Sequence, residues 1–169
     1  MARPQASDFP PYFSRYIAKV NAESVAEAIA VYAKPLSDFY AGLPEEKAVY
    51  RYAPGKWTLK ELLQHVIDAE RIFSYRILRI ARKDKTPLAS FDEDNYAANS
   101  LSSERNFDSI KEEFLAVRKA TDLLLLSLNE EQLAQQGIAS ELPVTANAIA
   151  FITFGHMLHH KGVLEEKYL

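Results

Sequence analysis

The sequence predicts an all-α protein, a four-helix bundle formed by one domain over residues 1–169. Four long segments carry apolar residues at the 3.6-residue spacing of an amphipathic helix, and no segment shows a convincing strand pattern. A chain of this length is large enough to bury a proper core in one domain. Four amphipathic helices bury their apolar faces against one another, which is the arrangement of a four-helix bundle.

The N-terminal part of the chain contains a polar arm, a short aromatic segment and the first long helix. Residues 1–10 are polar and interrupted by proline, which predicts a flexible arm. Residues 12–20 carry aromatic and aliphatic side chains at helical spacing and should pack on the main body. Helix 1 is predicted over residues 23–40 with Asn21 as its N-cap. Pro35 lies inside this pattern and should kink the helix or end its first half.

The second helix has a clear start. Thr58 followed by Glu61 forms a capping box, and Trp57 occupies the position of a hydrophobic staple. The helix is predicted to continue to about Arg82. The polar connector that follows, residues 83–105, is long enough to travel back along the bundle, which allows helices 2 and 3 to be parallel.

The C-terminal half is predicted to contain helices 3 and 4. Helix 3 spans about residues 106–128, and residues 129–142 form a loop with one short turn. Helix 4 follows over residues 145–168, with Thr145 as its cap. Its first half is apolar on two opposite faces, so both faces need a cover. The N-terminal arm or a second subunit is expected to supply the second cover.

The composition excludes several classes of protein. A net charge of −3 with interspersed basic residues gives no bias toward nucleic acid or anionic membranes. The absence of cysteine rules out disulfides, a cysteine nucleophile and thiolate metal ligands. No signal peptide and no apolar run long enough for a membrane span are present, so we expect a cytoplasmic protein.

The histidines suggest a metal site. His156 and His160 are four residues apart, so they share one face of helix 4, and His65 lies on helix 2. Two imidazoles on one helix and a third on another form the ligand set of an open, catalytic zinc site. Imidazoles also suit nickel, iron and copper. The same histidines also suit a surface role near the end of a helix, or satisfied positions in the core.

Three further residues are candidates for catalysis or substrate binding. Asp68 lies one turn from His65 and is suited to orient an imidazole or act as a base. Arg76 lies on the same flank and is suited to bind an anionic substrate. His159 is suited to contact the metal-binding histidines without binding the metal itself. The alternative for each is an ordinary exposed position on its helix without a role in function. For Arg76, the alternative includes a favourable interaction with the helix dipole.

Two motifs together resemble a known family. Residues 55–71 contain the pattern W-T-x-x-E-x-x-x-H, which is similar to the helix-2 signature of the DinB-like (DinB/YfiT) superfamily. Residues 155–164 begin with G-H-x-x-H-H and resemble the helix-4 signature of the same family. Residues 85–96 are similar to its connector. The resemblance covers nearly the whole chain, in order and with compatible spacing.

The resemblance implies a fold, a metal site and a partner. The implied fold is a down-up-up-down four-helix bundle in which the long connector joins parallel helices 2 and 3. The implied cofactor is a divalent metal ion, usually zinc or nickel. Members of the family are often homodimers, which suits the second apolar face of helix 4. The ligands implied by the matching motif positions are His65, His156 and His160.

The leading functional hypothesis is a metal-dependent enzyme acting on a small electrophilic molecule. The reaction is either thiol transfer, using a low-molecular-weight thiol such as the bacillithiol or mycothiol of some relatives, or hydrolysis. The rival hypothesis is a non-catalytic, stress-associated metal-binding or structural bundle. An open site beside a cavity would favour the enzyme. A site closed by a fourth ligand, with His159 and Asp68 as candidates, would favour the rival.

Overall fold

Four long helices form the body of the protein, and three short helices and one hairpin accompany them. The computed structural model describes residues 1–169. None of its helices combines the length and the apolar character needed to cross a bilayer. The elements are α1 (Ser14–Ile17), α2 (Val25–Ala41), α3 (Leu59–Ala81), α4 (Glu93–Asn99), α5 (Phe107–Leu126), α6 (Glu130–Leu133), β1 (Gln136–Ala139), β2 (Leu142–Thr145) and α7 (Ala146–Lys167).

Side-chain caps fix the starts of the long helices. The Thr58 side chain accepts a hydrogen bond from the Glu61 amide, and Glu61 accepts one from the Thr58 amide, so the predicted capping box is confirmed. Thr145 caps α7, also as predicted. The prediction for α2 was wrong in detail. Its cap is Ser24 rather than Asn21, because the Ser24 hydroxyl accepts the bond from an amide of the first turn.

Pro35 lies inside α2 without ending it, so an early end of this helix does not occur. A proline at this position lacks a backbone donor and leaves the carbonyl of Val31 without its usual helical partner. Val31 and Pro35 are both exposed. Water can therefore bond to that carbonyl, and the helix continues to Ala41.

A two-stranded antiparallel hairpin occupies residues 136–145, most of which were predicted to be a loop. Ser140 and Glu141 form its turn, with φ values of 52° and 67° that are typical of a tight hairpin turn. Each strand has only four residues, and Gly137 and Pro143 are poor strand formers, so the sequence shows no strand periodicity. The register pairs Gln136 with Thr145, Gly137 with Val144, Ile138 with Pro143 and Ala139 with Leu142.

The first ten residues, predicted to be a flexible arm, are bonded to the body of the protein. The Arg3 guanidinium donates to the carbonyls of Ile17 at 2.7 Å and Ala22 at 3.1 Å. The buried side-chain amide of Asn147, at the start of α7, donates to the Ala2 carbonyl at 2.9 Å. These hydrogen bonds satisfy backbone carbonyls and a buried side-chain amide that would otherwise lack partners. The composition of the segment did not predict them.

The second apolar face of α7 is covered within the chain. Phe151 and Phe154 are fully buried. The Tyr32 ring of α2 lies 6.4 Å from the Phe154 ring, and the Arg3 guanidinium lies 5.6 Å from the Phe151 ring. Of the two covers considered from the sequence, the N-terminal segment is the one observed, together with α2. This face therefore gives no support to a dimer.

The connector between α3 and α5 brings the starts of these two helices together. Lys60 donates to the Arg105 carbonyl at 2.6 Å, and Arg105 donates to the Gln64 side chain at 2.7 Å. Further along both helices, Arg118 lies 2.9 Å from Glu70. The contacts therefore advance in the same order along α3 and α5.

Gly155 allows α1 to contact α7 backbone to backbone. A Cβ atom at this position would lie 2.1 Å from the carbonyl oxygen of Tyr16, far inside van der Waals contact. No side chain other than hydrogen fits between the two segments. The glycine that precedes His156 in the motif is thus explained by packing rather than by backbone conformation.

We expect Gly155→Ala to destabilise the protein and Gly162→Ala to stabilise it slightly. The first methyl group would displace α1 and cost about 1–3 kcal/mol or more, as overpacking does. The second meets nothing within 4 Å, and alanine is favoured over glycine inside a helix by roughly 0.8–1 kcal/mol. Urea unfolding of both variants measures the difference. Equal stabilities would show that α1 does not pack on α7 at this glycine.

An ion pair is buried between α3 and α5. Arg118 is 1% exposed and Glu70 is 2% exposed. The Arg118 guanidinium lies 2.9 Å from Glu70 and 2.8 Å from Asp122, and 4.9 Å from the Phe154 ring centroid. Burial raises the pKa of Glu70, and the charge of Arg118 opposes this rise. The two charges therefore depend on each other to remain in the core.

We expect Arg118→Leu to lower the free energy of unfolding by about 3–5 kcal/mol, because it leaves the Glu70 carboxylate buried without its partner. The double variant Glu70→Leu/Arg118→Leu should be more stable than Arg118→Leu alone, since it removes both charges. Urea unfolding of the two single variants and the double variant measures this coupling. Strictly additive effects would contradict the interpretation.

Candidate metal centre

Three of the four histidines meet between α3 and α7. His65 lies near the start of α3, and His156 and His160 lie one turn apart on α7. The Nε2 atom of His156 is 3.1 Å from Nε2 of His65 and 3.1 Å from Nε2 of His160. One ligand atom from each histidine lies within 4.8 Å of the others. The structure thus brings together the three residues predicted as ligands.

The spacing of the nitrogens fits one divalent ion. Zinc binds imidazole nitrogens at about 2.0–2.1 Å in tetrahedral geometry, which places two such nitrogens about 3.3 Å apart. The observed separations from His156 are 3.1 Å. No fourth histidine, aspartate or glutamate joins the cluster. Three protein ligands would leave a position for an exchangeable ligand, as in catalytic zinc sites.

Burial keeps the three imidazoles in the neutral form that binds metal ions. Removal from water lowers the pKa of His65 to about 4 and the pKa of His160 to about 2, and the nearby histidines add to both effects. Burial also lowers the pKa of His156 well below its usual value. At neutral pH, an ion therefore displaces no proton from these rings.

Aromatic side chains hold the imidazoles in place. The Trp57 ring centroid lies 4.7 Å from that of His65, and the Phe73 ring lies 5.6 Å from His156, edge to face. Nδ1 of His160 is buried and has no hydrogen-bond partner in the protein. Metal-bound histidines often donate their second N–H to a carboxylate or carbonyl. His160 has no such partner, and its ring contacts those of His65, His156 and His159.

A cavity of about 260 Å³ opens beside the histidines. Its walls come from the N-terminal segment, α3, the connector, the hairpin and α7. Two cationic side chains, Arg15 and Arg76, and one carboxylate, Glu93, line it. The other lining residues are mostly aromatic: Tyr12, Phe13, Tyr16, Trp57, Phe73 and Phe91, with Ala69, Ser140 and all four histidines. The candidate centre is therefore open to a small molecule.

The sequence profile of the DinB superfamily matches residues 33–164, which is most of the chain. The chain belongs to the DinB superfamily. The resemblance inferred from the two histidine motifs is therefore confirmed.

Two solved structures share the fold of this DinB-superfamily protein. YfiT from Bacillus subtilis, described as a probable metal-dependent hydrolase with an unusual four-helix bundle topology, matches with a TM-score of 0.70 and 14% identity, over 96% of this chain and 89% of that chain. A mycothiol-dependent maleylpyruvate isomerase matches with a TM-score of 0.64 and 12% identity, over 91% of this chain and 60% of that chain. No curated protein matches the sequence significantly. At these identities, the likenesses establish the fold alone.

The three other candidate residues of this DinB-superfamily protein lie in different surroundings. His159 lines the cavity, with its ring 5.5 Å from Tyr16, but it lies outside the ligand cluster. Arg76 lines the same cavity. Asp68 accepts a hydrogen bond from Gln64 at 2.9 Å and lines a separate surface groove. Neither His159 nor Asp68 closes the site as a fourth ligand.

Several cavity residues were not anticipated from the sequence. Arg15 and Tyr16 reach the cavity because α1 packs on α7, and the helical spacing of residues 12–20 indicated only that this segment packs somewhere. Ser140 reaches the cavity from the turn of the hairpin. Nothing in the sequence around Ser140 indicated that position, because it depends on a strand pairing without a periodic signal.

We expect protein produced without a histidine tag to bind about one equivalent of zinc or nickel. We expect the metal affinity to fall by more than about 100-fold in each of the variants His65→Ala, His156→Ala and His160→Ala. Losing a residue that hydrogen-bonds to a ligand costs about 10–100-fold in affinity, and losing the ligand itself should cost more. Elemental analysis measures the metal content. The matched control is His159→Ala, on the same helix, which should retain the metal.

The fluorescence of the only tryptophan provides an independent measure of metal binding at the same site. Trp57 lies against His65, so the paramagnetic ions Co²⁺ or Ni²⁺ bound there should quench its fluorescence. Protein that takes up no metal after reloading, and whose fluorescence is unchanged by these ions, would contradict the metal centre.

Proposed function

We propose that this protein is a metal-dependent enzyme that acts on a small electrophilic molecule. The observation that carries the proposal is the convergence of three neutral imidazoles on the wall of a cavity, with no fourth ligand to close the site. In this proposal His65, His156 and His160 hold the ion, with zinc and nickel as the first candidates.

When bound, the ion would act as a Lewis acid and lower the pKa of a water or thiol beside it. The chain supplies the other requirements of the reaction. Trp57 and Phe73 exclude water from the rings of His65 and His156. His159 lines the same cavity outside the ligand cluster, so it is the candidate for accepting a proton from a reactant.

The surroundings of the centre favour thiol transfer over hydrolysis. A second groove of about 350 Å³ shares Trp57 and His160 with the main cavity and is also lined by Tyr52, Lys56 and Asp94. Two reactants need two binding places beside one centre, whereas hydrolysis needs a place for one reactant and water. A thiol would have to come from outside, because the chain has no cysteine. One structural relative is a mycothiol-dependent enzyme.

Hydrolysis is the second candidate, and the relative described as a probable hydrolase supports it. The non-catalytic bundle considered from the sequence is the third. A purely structural site is usually closed by four protein ligands. The centre here has three possible ligands and an adjoining cavity, which favours an enzyme.

The proposal includes the down-up-up-down order of the long helices. Contacts of α2 with α7 advance in the same order along both helices, from Tyr32 with Phe154 to Phe39 with Lys161. Contacts of α3 with α5 also advance together. The start of α3 instead meets the later part of α7, where the histidines lie.

A homodimer, implied by the family resemblance, is also part of the proposal.

We expect Co²⁺-loaded protein to bind a thiol at the metal. Addition of 2-mercaptoethanol, cysteine or glutathione should produce a sulfur-to-cobalt charge-transfer band in the near-ultraviolet, because thiolates bind such ions well. Absorption spectroscopy measures the band, and His160→Ala, which lacks one ligand, is the control. Loaded protein that shows no band with any thiol would contradict thiol transfer and leave hydrolysis. Protein that binds no cobalt would contradict the metal-dependent function itself.

A further inference from the structure

Arg76 is a buried cation without a carboxylate partner. It is only 5% exposed. The other buried arginine, Arg118, is neutralised by Glu70 in the core. Arg76 instead donates hydrogen bonds to the Ala89 carbonyl at 2.6 Å and to the Ser140 hydroxyl at 3.1 Å, and both acceptors are uncharged.

The hydrogen bonds of Arg76 use only part of its guanidinium. Both come from Nη2, so the N–H groups on Nε and Nη1 have no acceptor in the protein. The side chain lines the cavity that contains the three histidines. The free N–H groups are charged donors, and each can donate a hydrogen bond to a carboxylate oxygen. The two bonds of Nη2 hold the guanidinium in place.

The charges around the cavity favour an anion. Burial lowers the pKa of Arg76, which reflects the cost of keeping a cation away from water. Arg15, exposed at the same cavity, donates hydrogen bonds to tyrosine hydroxyls and has no carboxylate partner. Glu93 is the only carboxylate that lines the cavity, and it is exposed. An entering anion would therefore compensate a charge that the fold leaves uncompensated.

We propose that the cavity selects small substrates that carry a carboxylate, which pairs with Arg76 while the aromatic wall contacts the adjoining apolar part of the molecule. The inference rests on the proposed function for the reaction itself, because the reacting group must reach the three histidines. A cavity of about 260 Å³ restricts the substrate to a small molecule.

A purely structural role is the alternative for Arg76. Its two hydrogen bonds join α3 to the connector and to the turn of the hairpin, so the residue also stabilises the cavity wall. A structural arginine would not distinguish a carboxylate from an uncharged group of the same shape. The test therefore compares two such probes.

The experiment measures the binding of benzoate and benzamide to the full-length protein, both metal-free and zinc-loaded, by titration calorimetry. The metal-free form isolates Arg76 from any direct contact of benzoate with zinc. We expect the parent to bind benzoate about tenfold or more tightly than benzamide, because hydrogen bonds to charged groups are the stronger ones. Arg76→Gln should reduce this ratio to about one, and Arg76→Lys should be intermediate, because an ammonium keeps the charge but not the planar arrangement of donors.

The matched control is Arg79→Gln, on the same helix but outside the cavity, where Arg79 pairs with Asp84. It should keep the full preference for benzoate. Because Arg76→Gln also removes bonds to the hairpin, circular dichroism checks its fold. A second measurement needs only the folded parent: benzoate, but not benzamide, should shift the Arg76 Nε–H resonance in a proton–nitrogen spectrum. Arg76→Lys identifies that resonance by its loss.

Equal binding of the two probes by the metal-free parent, or a full benzoate preference in folded Arg76→Gln, would overturn the inference. Its failure can be distinguished from failure of the proposed function. Protein that prefers benzoate but takes up no metal would retain the carboxylate site and lose the metal-dependent function. Protein that takes up metal but shows no benzoate preference when metal-free would give the opposite result.

Discussion

The close approach of α1 to α7 at Gly155 is the contact on which the rest of the site depends. Because the Tyr16 carbonyl occupies the space of a side chain, α1 covers a face of α7 that would otherwise be exposed. This cover removes His156 from water, and it forms one wall of the cavity with Arg15 and Tyr16. One backbone contact thus produces both the dry surroundings of the imidazoles and the opening beside them.

The two helix starts determine where the histidines meet. The capping box at Thr58 fixes the first turn of α3, and His65 follows about two turns later; the cap at Thr145 fixes α7, and His156 follows about three turns later. Since α3 and α7 pack side by side, these offsets bring the rings together. Burial then disfavours the protonated, charged form of the imidazoles. The neutral rings that result are the form that binds a metal ion.

Local patterns explain how much could be predicted from the sequence. Periodicity and capping identified the long helices, and the four-residue spacing on α7 identified His156 and His160, because both signals lie within one element. The link to His65 needed the family resemblance as well, because it depends on which helices are neighbours. The hairpin and the packed N-terminal segment were missed. Their stability comes from long-range bonds, such as those of Arg3, which leave no periodic signal.

The two buried arginines differ in how their charge is compensated. Burying a guanidinium costs several kcal/mol unless an anion accompanies it. In the core, Arg118 has the carboxylates of Glu70 and Asp122. Arg76 is almost as buried, yet it has only neutral acceptors and lies at a cavity. Two carboxylates are placed beside one arginine and none beside the other. The difference is accounted for if the counter-charge of Arg76 arrives with the substrate, because a resident carboxylate would occupy the donors that the substrate needs.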